Sequence, residues 1–177
     1  LKLFNYKFDF DDMGSIIGNK ENLRISSKIA SSSITLVKDS NNQIPLKPEK
    51  IIKIGHLILS TNDNANEILK TFKSNINYTH ANVENIFINY ELSDILINEL
   101  INSFNKFDKI IISTLVQISS INKGQSTLNP THLKLIKEMS KKDLPFVVVS
   151  YGSPYLDDYT FIDTYICSYG YGHVSQT

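Results

Sequence analysis

The side chains that could do chemistry in this chain are its carboxylates, its four histidines and its one cysteine. Two carboxyl groups on either side of a reacting bond could act as acid and base, or as acid and nucleophile. Asp157 and Asp158 are adjacent, so on a helix they would point about 100° apart and would suit a solvated or capping role. Glu99 and Glu138 fall on the polar faces of predicted helices. The sequence therefore predicts no catalytic residue in this chain.

The histidines and the cysteine show no pattern of a metal or cofactor site. The histidines lack the spacing of metal ligands and are interpreted as structural or solvated: His56, His80, His132 and His173. Cys167 lies alone in an apolar segment, so it cannot form an internal disulfide and is predicted to be buried. Gly170-Tyr-Gly172 lacks the third glycine and the following helix of a dinucleotide site. We therefore predict no metal and no cofactor.

Composition limits the classes of partner. Lys and Arg number 18, as do Asp and Glu, so the net charge is zero, whereas nucleic-acid binding needs a clustered basic excess. No apolar run approaches the roughly 20 residues of a membrane helix. Leu1 is not Met and is not expected to be the natural start. The compartment is left unassigned, because a targeting signal for a bacterial periplasmic or extracellular location would lie upstream.

Apolar segments that alternate with amphipathic segments predict the architecture. Strands are predicted over residues 34–37, 51–59, 76–80, 109–116, 146–149 and 164–168, and helices over residues 19–32, 62–73, 91–104 and 130–141. Leu23, Ile25, Ile29 and Ala30 are expected to mark one apolar face of the first helix. Strands that alternate with helices indicate a mainly parallel sheet with helices on both faces. The predicted fold class is α/β, a flavodoxin-like layered sandwich.

Ligands of parallel α/β sheets collect at the carboxyl ends of the strands, where three loops are predicted, over residues 60–64, 117–129 and 150–155. In the third loop, Gly152 is predicted to turn the chain. Ser153 would cap a following helix, and Pro154 would occupy the first helical turn, where its missing N–H is harmless. The loop lacks the Gly-x-Ser-x-Gly pattern of a nucleophile elbow, so Gly152, Ser153 and Pro154 are interpreted as a structural turn.

Several segments of this chain resemble one known family. They are the strand and turn of residues 146–155, then Asp163-Thr-Tyr-Ile-Cys-Ser-Tyr169, and, earlier, Ser33-Ile-Thr-Leu-Val-Lys-Asp39 with Ile44-Pro-Leu46. Together they resemble the C-terminal α/β domain of glycoside hydrolase family 3, in its β-N-acetylglucosaminidase-like (β-hexosaminidase) branch. The resemblance covers residues 23–176.

The resemblance implies one domain of a larger hydrolase. Residues 1–18 would be a connecting arm from an absent N-terminal β/α barrel, although an edge strand packed on its own domain is an equal alternative. Residues 19–177 would be the second domain, truncated at its C-terminal end. In this branch the nucleophilic Asp and the Asp-His acid/base pair belong to the barrel. The implied partners are that barrel of the same polypeptide and, through it, a carbohydrate substrate, so the isolated chain is expected to be inactive.

The resemblance also directs attention to the loop over residues 117–129. In family 3 enzymes a loop of the second domain can lean over the sugar site of the barrel, and position favours Asn122, Lys123 and Gln125 for that contact. The alternative is a surface loop that touches no ligand. For the whole chain, the other interpretation is a free-standing flavodoxin-like module with a ligand-binding or regulatory role.

Overall fold

The computed structural model describes residues 13–46, 53–80, 82–117, 127–156 and 158–177. Within these ranges the strands are β1 (Thr35–Asp39), β2 (Ile54–Leu59), β3 (Val83–Ile88), β4 (Lys109–Val116), β5 (Phe146–Gly152) and β6 (Thr164–Cys167). The helices are α1 (Met13–Ile16), α2 (Lys20–Ser33), α3 (Ala65–Ile68), α4 (Lys70–Thr79), α5 (Asp94–Phe104) and α6 (Pro130–Ser140), and a 3₁₀ helix spans His173–Ser175. In this described part, none of the helices has the length and apolarity to cross a bilayer.

The strands form one six-stranded sheet in the order β1-β6-β5-β4-β2-β3. All neighbouring strands pair in parallel except the edge strand β1, which runs antiparallel to β6. One face packs against α5 and α6 through residues such as Ile101 and Met139. The opposite face packs against α3 and α4 through residues such as Ala65 and Ile76. The predicted flavodoxin-like sandwich, with a mainly parallel sheet and helices on both faces, is confirmed.

The central strand β4 shows why the sequence pattern indicated buried strands. Ile110 and Ile112 belong to the core beneath α5 and α6, whereas Ile111 and Leu115 belong to the core beneath α3 and α4. All four side chains are buried. A strand that is covered on both faces needs apolar residues at consecutive positions. The predicted span of residues 109–116 is confirmed for this reason.

Three helices begin at polar residues that accept a hydrogen bond from an otherwise free backbone amide. Asn19 and Ser93 each accept from the N–H three residues on, at 2.8 and 3.3 Å. Asn129 accepts from the N–H two residues on, at 2.8 Å. Pro130 then takes the first position of α6, where a helix needs no amide donor. The helices predicted near residues 19–32, 91–104 and 130–141 are confirmed with small shifts at their ends.

Two predictions on the segment between β2 and α5 are wrong. The predicted strand over residues 76–80 is the end of α4, which continues to Thr79 and buries Ile76 against the sheet. The predicted helix over residues 62–73 is divided into α3 and the beginning of α4. The edge strand is instead β3, which the sequence analysis missed. Its positions are mostly half-buried, so Glu84 and Asn85 can interrupt the apolar pattern by which a strand is recognised.

The predicted helix start at Ser153 and Pro154 is also wrong. The strand β5 extends to Gly152, and residues 153–156 form no regular structure. The backbone amide of Ser153 donates to the carbonyl oxygen of Val116 at 2.9 Å, so it continues the pairing with β4. The Tyr165 hydroxyl donates to the Pro154 carbonyl oxygen at 2.6 Å. Contacts with neighbouring strands fix this segment, where local sequence favours a helical turn.

Of the four residues expected to mark the apolar face of α2, only Ala30 is buried. Leu23, Ile25 and Ile29 are 52%, 44% and 65% exposed. The buried residue of α2 is Ala30. The amphipathic period was therefore recognised correctly, but within the described residues the apolar face of this helix is not covered.

Stability should increase on replacing Thr114 by valine. The Thr114 hydroxyl is buried and has no hydrogen-bond partner among the described residues, and an unpaired buried hydroxyl costs about 1–3 kcal/mol. Because valine has nearly the same shape, Thr114→Val should raise the free energy of unfolding by about 1 kcal/mol, measured by urea denaturation. The matched control is Thr164→Val. The equally buried Thr164 donates to Asp39 at 2.9 Å, so this variant should lose stability. A loss of stability in both variants would contradict the conclusion that the Thr114 hydroxyl is buried without a hydrogen-bond partner.

Candidate functional site

The three loops predicted to face a ligand do share one edge of the sheet. Leu59 at the end of β2 is level with Thr114 of β4, and Val116 of β4 is level with Gly152 of β5. Because these strands are parallel, the loops that follow them begin side by side. This carboxyl edge is the place where the fold positions polar groups for a ligand.

The loop after β2 is bound to the end of β4. The buried Ser60 hydroxyl donates to the carbonyl oxygen of Leu115 at 2.7 Å, and Ser60 Oγ accepts from the amide of Asn62 at 3.2 Å. The side-chain amide of Asn62 donates to the side-chain oxygen of Gln117. These bonds make the loop a fixed part of the edge, and they leave its polar side chains engaged with protein groups.

The Gly152 turn is fixed by close backbone contact. Gly152 has φ +80°, a conformation that L side chains rarely adopt, and a Cβ atom there would lie 2.2 Å from the carbonyl oxygen of Val116. The Ser150 hydroxyl donates to the carbonyl oxygen of Ser153 at 3.0 Å. The Ser153 hydroxyl oxygen accepts a long bond from the Tyr155 amide at 3.5 Å. The Gly-Ser-Pro sequence therefore allows the backbone to approach β4 closely at this turn.

The residues that the resemblance favours for a sugar contact, Asn122, Lys123 and Gln125, lie outside the described residues. The segment that contains them follows Gln117 at the end of β4 and precedes the Asn129 cap of α6. Their role stays a prediction.

Two described carboxylates in the connections after β2 and β5 are held by local contacts. Asp63 accepts a hydrogen bond from the Asn89 side-chain amide at 2.8 Å. Asp158 accepts from the amide and the hydroxyl of Thr160 at 3.0 and 2.6 Å, and these bonds hold the pKa of Asp158 below its ordinary value. Asp157 is outside the described residues. Within the described ranges, no group of three His, Cys, Asp or Glu side chains could hold a metal ion.

A polar relay, in which His56 and Ser113 are buried and Asn85 is exposed, crosses the sheet face beneath α4. Nδ1 of His56 lies 2.9 Å from Oδ1 of Asn85, and Nε2 of His56 lies 2.9 Å from Oγ of Ser113. Because Oδ1 of Asn85 can only accept, His56 donates from Nδ1, and its Nε2 accepts from the Ser113 hydroxyl. The order of serine, histidine and asparagine is that of a nucleophile, its base and the group that orients the base.

Burial keeps this relay from acting as a catalytic site. His56 and Ser113 are both 0% exposed, and the Phe72 ring packs edge-on against His56 with 5.6 Å between ring centroids. A substrate has no access to the Ser113 oxygen. Burial lowers the pKa of His56 to about 4, so the ring is neutral at pH 7. The relay satisfies polar side chains in the core, and His56 is structural, as the sequence analysis interpreted it.

The sequence carried a signal for this relay that the analysis did not use. His56 lies two residues from both Ile54 and Ile58, which belong to the core beneath α4. Since side chains two residues apart in a strand share a face, the imidazole lies on the same face. A buried imidazole needs partners for both nitrogens. Ser113 has the same inward register within β4, and it was the natural partner to expect.

Two of the other histidines also have structural contacts. His132 is fully buried in the first turn of α6, where Nε2 lies 2.9 Å from the Tyr90 carbonyl oxygen and donates to it. Burial lowers the pKa of His132. Nδ1 of His173 lies 3.0 Å from the Thr71 hydroxyl, which connects the 3₁₀ helix to α4.

The fold also occurs in much larger enzymes of known structure. A fungal multi-domain glycoside hydrolase family 3 β-N-acetylglucosaminidase, which carries a GCN5-related glucosamine N-acetyltransferase region, matches with a TM-score of 0.68 and 23% identity over 97% of this chain and 18% of its own. A family 3 β-N-acetylglucosaminidase from Paenibacillus sp. strain FPU-7 matches with a TM-score of 0.59 and 14% identity, over 97% of this chain and 31% of its own. A β-glucosidase from Listeria innocua matches with a TM-score of 0.67 and 15% identity, over 94% of this chain and 26% of its own.

This chain has the fold of a region of family 3 glycoside hydrolases. No family model and no curated protein matches the sequence. The chain spans less than a third of each of these family 3 structures. The family that residues 23–176 resemble is therefore confirmed at the level of the fold.

Replacing Gly152 by alanine should destabilise the protein strongly. The new Cβ atom would meet the Val116 backbone in a left-handed conformation, so we expect Gly152→Ala to lose at least about 2 kcal/mol in the free energy of unfolding. Gly172→Ala is the matched control, because Gly172 has φ −68° and no atom within 4 Å of its Cβ position. Equal stability of the two variants, measured by urea denaturation, would show that the close passage across β4 is not formed.

Stability should decline as the pH falls from 6.5 towards 4. Unfolded His56 takes up a proton below its ordinary pKa of 6.5, whereas folded His56 does so only near pH 4, so acid favours the unfolded chain. The full difference is roughly 3 kcal/mol. His56→Gln should make this decline shallower, and the remaining slope includes His132, whose pKa is also lowered. His173→Gln is the control at the 3₁₀ helix. If His56→Gln and His173→Gln show the same pH slope, the buried relay is not present in solution.

Proposed function

We propose that this chain is the non-catalytic second domain of a family 3 glycoside hydrolase that acts on β-linked N-acetylglucosaminides. The domain would support a β/α barrel of the same polypeptide, and the barrel would supply the chemistry. The observation that carries this proposal is the shared fold across nearly the whole chain. It aligns over 97% of its length with two enzymes described as family 3 β-N-acetylglucosaminidases.

The state of the described polar groups supports a non-catalytic role. Hydrolysis of a glycosidic bond needs two carboxyl groups about 5 Å apart for retention, or up to about 9.5 Å apart for inversion. Among the described carboxylates, Asp63 after β2 is bound to Asn89, and Asp158 before β6 is bound to Thr160. The serine of the one relay with triad order in the described chain is fully buried. The chain therefore offers a rigid edge that could carry a loop to a neighbouring active site.

Turnover measurements test this proposal directly. This chain alone should release no chromophore from an aryl β-N-acetylglucosaminide, whereas the polypeptide extended upstream of residue 1 should release it. The same extended polypeptide should turn over the corresponding aryl β-glucoside at least about 10-fold more slowly. Hydrolysis by the chain alone would contradict the non-catalytic role. A preference of the extended polypeptide for the glucoside would contradict the proposed substrate.

The loop that follows β4 gives a second test in the extended polypeptide. We propose that Lys123, with Asn122 and Gln125, contacts bound sugar, so Lys123→Ala should raise KM about 3- to 10-fold with little change in kcat, the loss expected for one hydrogen bond. Lys142→Ala is the matched control, because Lys142 is exposed in the connection between α6 and β5, beyond the amino end of β5. An unchanged KM in Lys123→Ala would leave the loop without a role in substrate binding.

A further inference from the structure

Exposed aliphatic side chains are concentrated in one region of the described chain. The large aliphatic residues that are at least 36% exposed all lie between residues 13 and 37, with Ile95 as the single exception among the described residues. We call six of them the α2 surface: Ile17, Leu23, Ile25, Ile29, Ile34 and Leu36. Single exposed apolar residues are common on soluble proteins, whereas a contiguous group marks an interaction site.

The apolar and charged side chains of α2 are distributed as in a helix that is packed between two surfaces. Ile25 and Ile29 are four residues apart and share one face, and Ala30 lies at its margin, about 100° round the helix from Ile29. The charged residues lie on the other side, where Arg24 and Glu21 form an ion pair at 2.7 Å. A helix with this pattern normally presents its apolar face to a core. Here Ala30 reaches the domain and the isoleucines remain exposed, so the domain itself fills only part of the face.

Two grooves beside the α2 surface are open to apolar side chains. One, of about 470 Å³, lies between α2 and the tail of the chain and is lined by Ile25, Ile29 and Val174 among others. The second, of about 250 Å³, opens over the centre of the sheet and is lined by Ile34, Val149 and Tyr151 among others. Both grooves include Ser168 and Ser175 in their walls, so they are neighbours on the same side of the domain.

We propose that the α2 surface and its two grooves are the contact face for the barrel domain of the same polypeptide. This inference rests on the function proposed above. The helix α1 lies within residues 1–18, which we predict to be the connecting arm, so the surface lies where the chain enters the domain. In the family 3 structures that share the fold, more than two thirds of each chain lies outside the matched region. The outer helices of a barrel are amphipathic and can place apolar side chains in such grooves.

Cysteine labelling in the extended polypeptide tests this face. Ile29→Cys and Ile95→Cys form a matched pair, because both replace a helical isoleucine, 65% and 74% exposed in the domain, on opposite faces of the sheet. The buried Cys167 should contribute little background, which the unsubstituted polypeptide measures. With a water-soluble maleimide, the Ile29→Cys variant should be labelled at least about 10-fold more slowly than the Ile95→Cys variant. Unfolding in urea should equalise the two rates.

Equal labelling of both variants in the folded state would overturn the proposed contact face. Protection of position 29 that appears only at high protein concentration would overturn it too, because it would indicate a second copy as the partner. Turnover of the aryl β-N-acetylglucosaminide by the same samples separates the two proposals. An active polypeptide with position 29 fully labelled refutes the face alone, whereas an inactive polypeptide with position 29 protected refutes the function and leaves the interface.

Discussion

The structure depends on one constraint, namely that a parallel sheet has to be covered on both faces. The central strands β4 and β5 carry apolar side chains towards both layers, and their backbone groups bond to neighbouring strands. Each face therefore needs helices with an apolar side. The helices α5 and α6 satisfy one face, and α3 with α4 cover part of the other. The grooves beside α2 mark the part of that second face whose cover the described chain does not supply.

The same constraint explains where the polar chemistry of the chain is found. Inside the core, His56 is tolerated because both ring nitrogens have partners, and burial lowers its pKa and keeps the ring neutral. At the carboxyl edge, Ser60, Asn62 and Ser153 bond to the end of β4 or to its immediate neighbours. These groups stabilise the edge without being free to react.

Sequence reasoning identified the elements that are apolar enough to be recognised by period and missed those defined by tertiary contacts. The strand β4 and the helices α5 and α6 were predicted because burial on both faces, or on one helical face, imposes a strong pattern. The edge strand β3 was missed because it is half-buried and tolerates Glu84 and Asn85. The predicted helix at Ser153 was wrong because pairing with Val116 outweighs a local capping preference. The residues proposed for sugar contact were derived from family resemblance and from their position in the loop after β4, and they lie outside the described residues.

The central claim is that the chemistry of the enzyme lies outside this chain, and covalent trapping tests it most directly. A retaining glycosidase forms a glycosyl-enzyme intermediate on a carboxylate, which a slowly hydrolysed fluoro-glycoside of N-acetylglucosamine would trap. The extended polypeptide would be incubated with this compound, digested and analysed by mass spectrometry. Our account predicts that the labelled carboxylate lies in a peptide from outside the 177 residues of this chain. A glycosyl label on any Asp or Glu within them would contradict it.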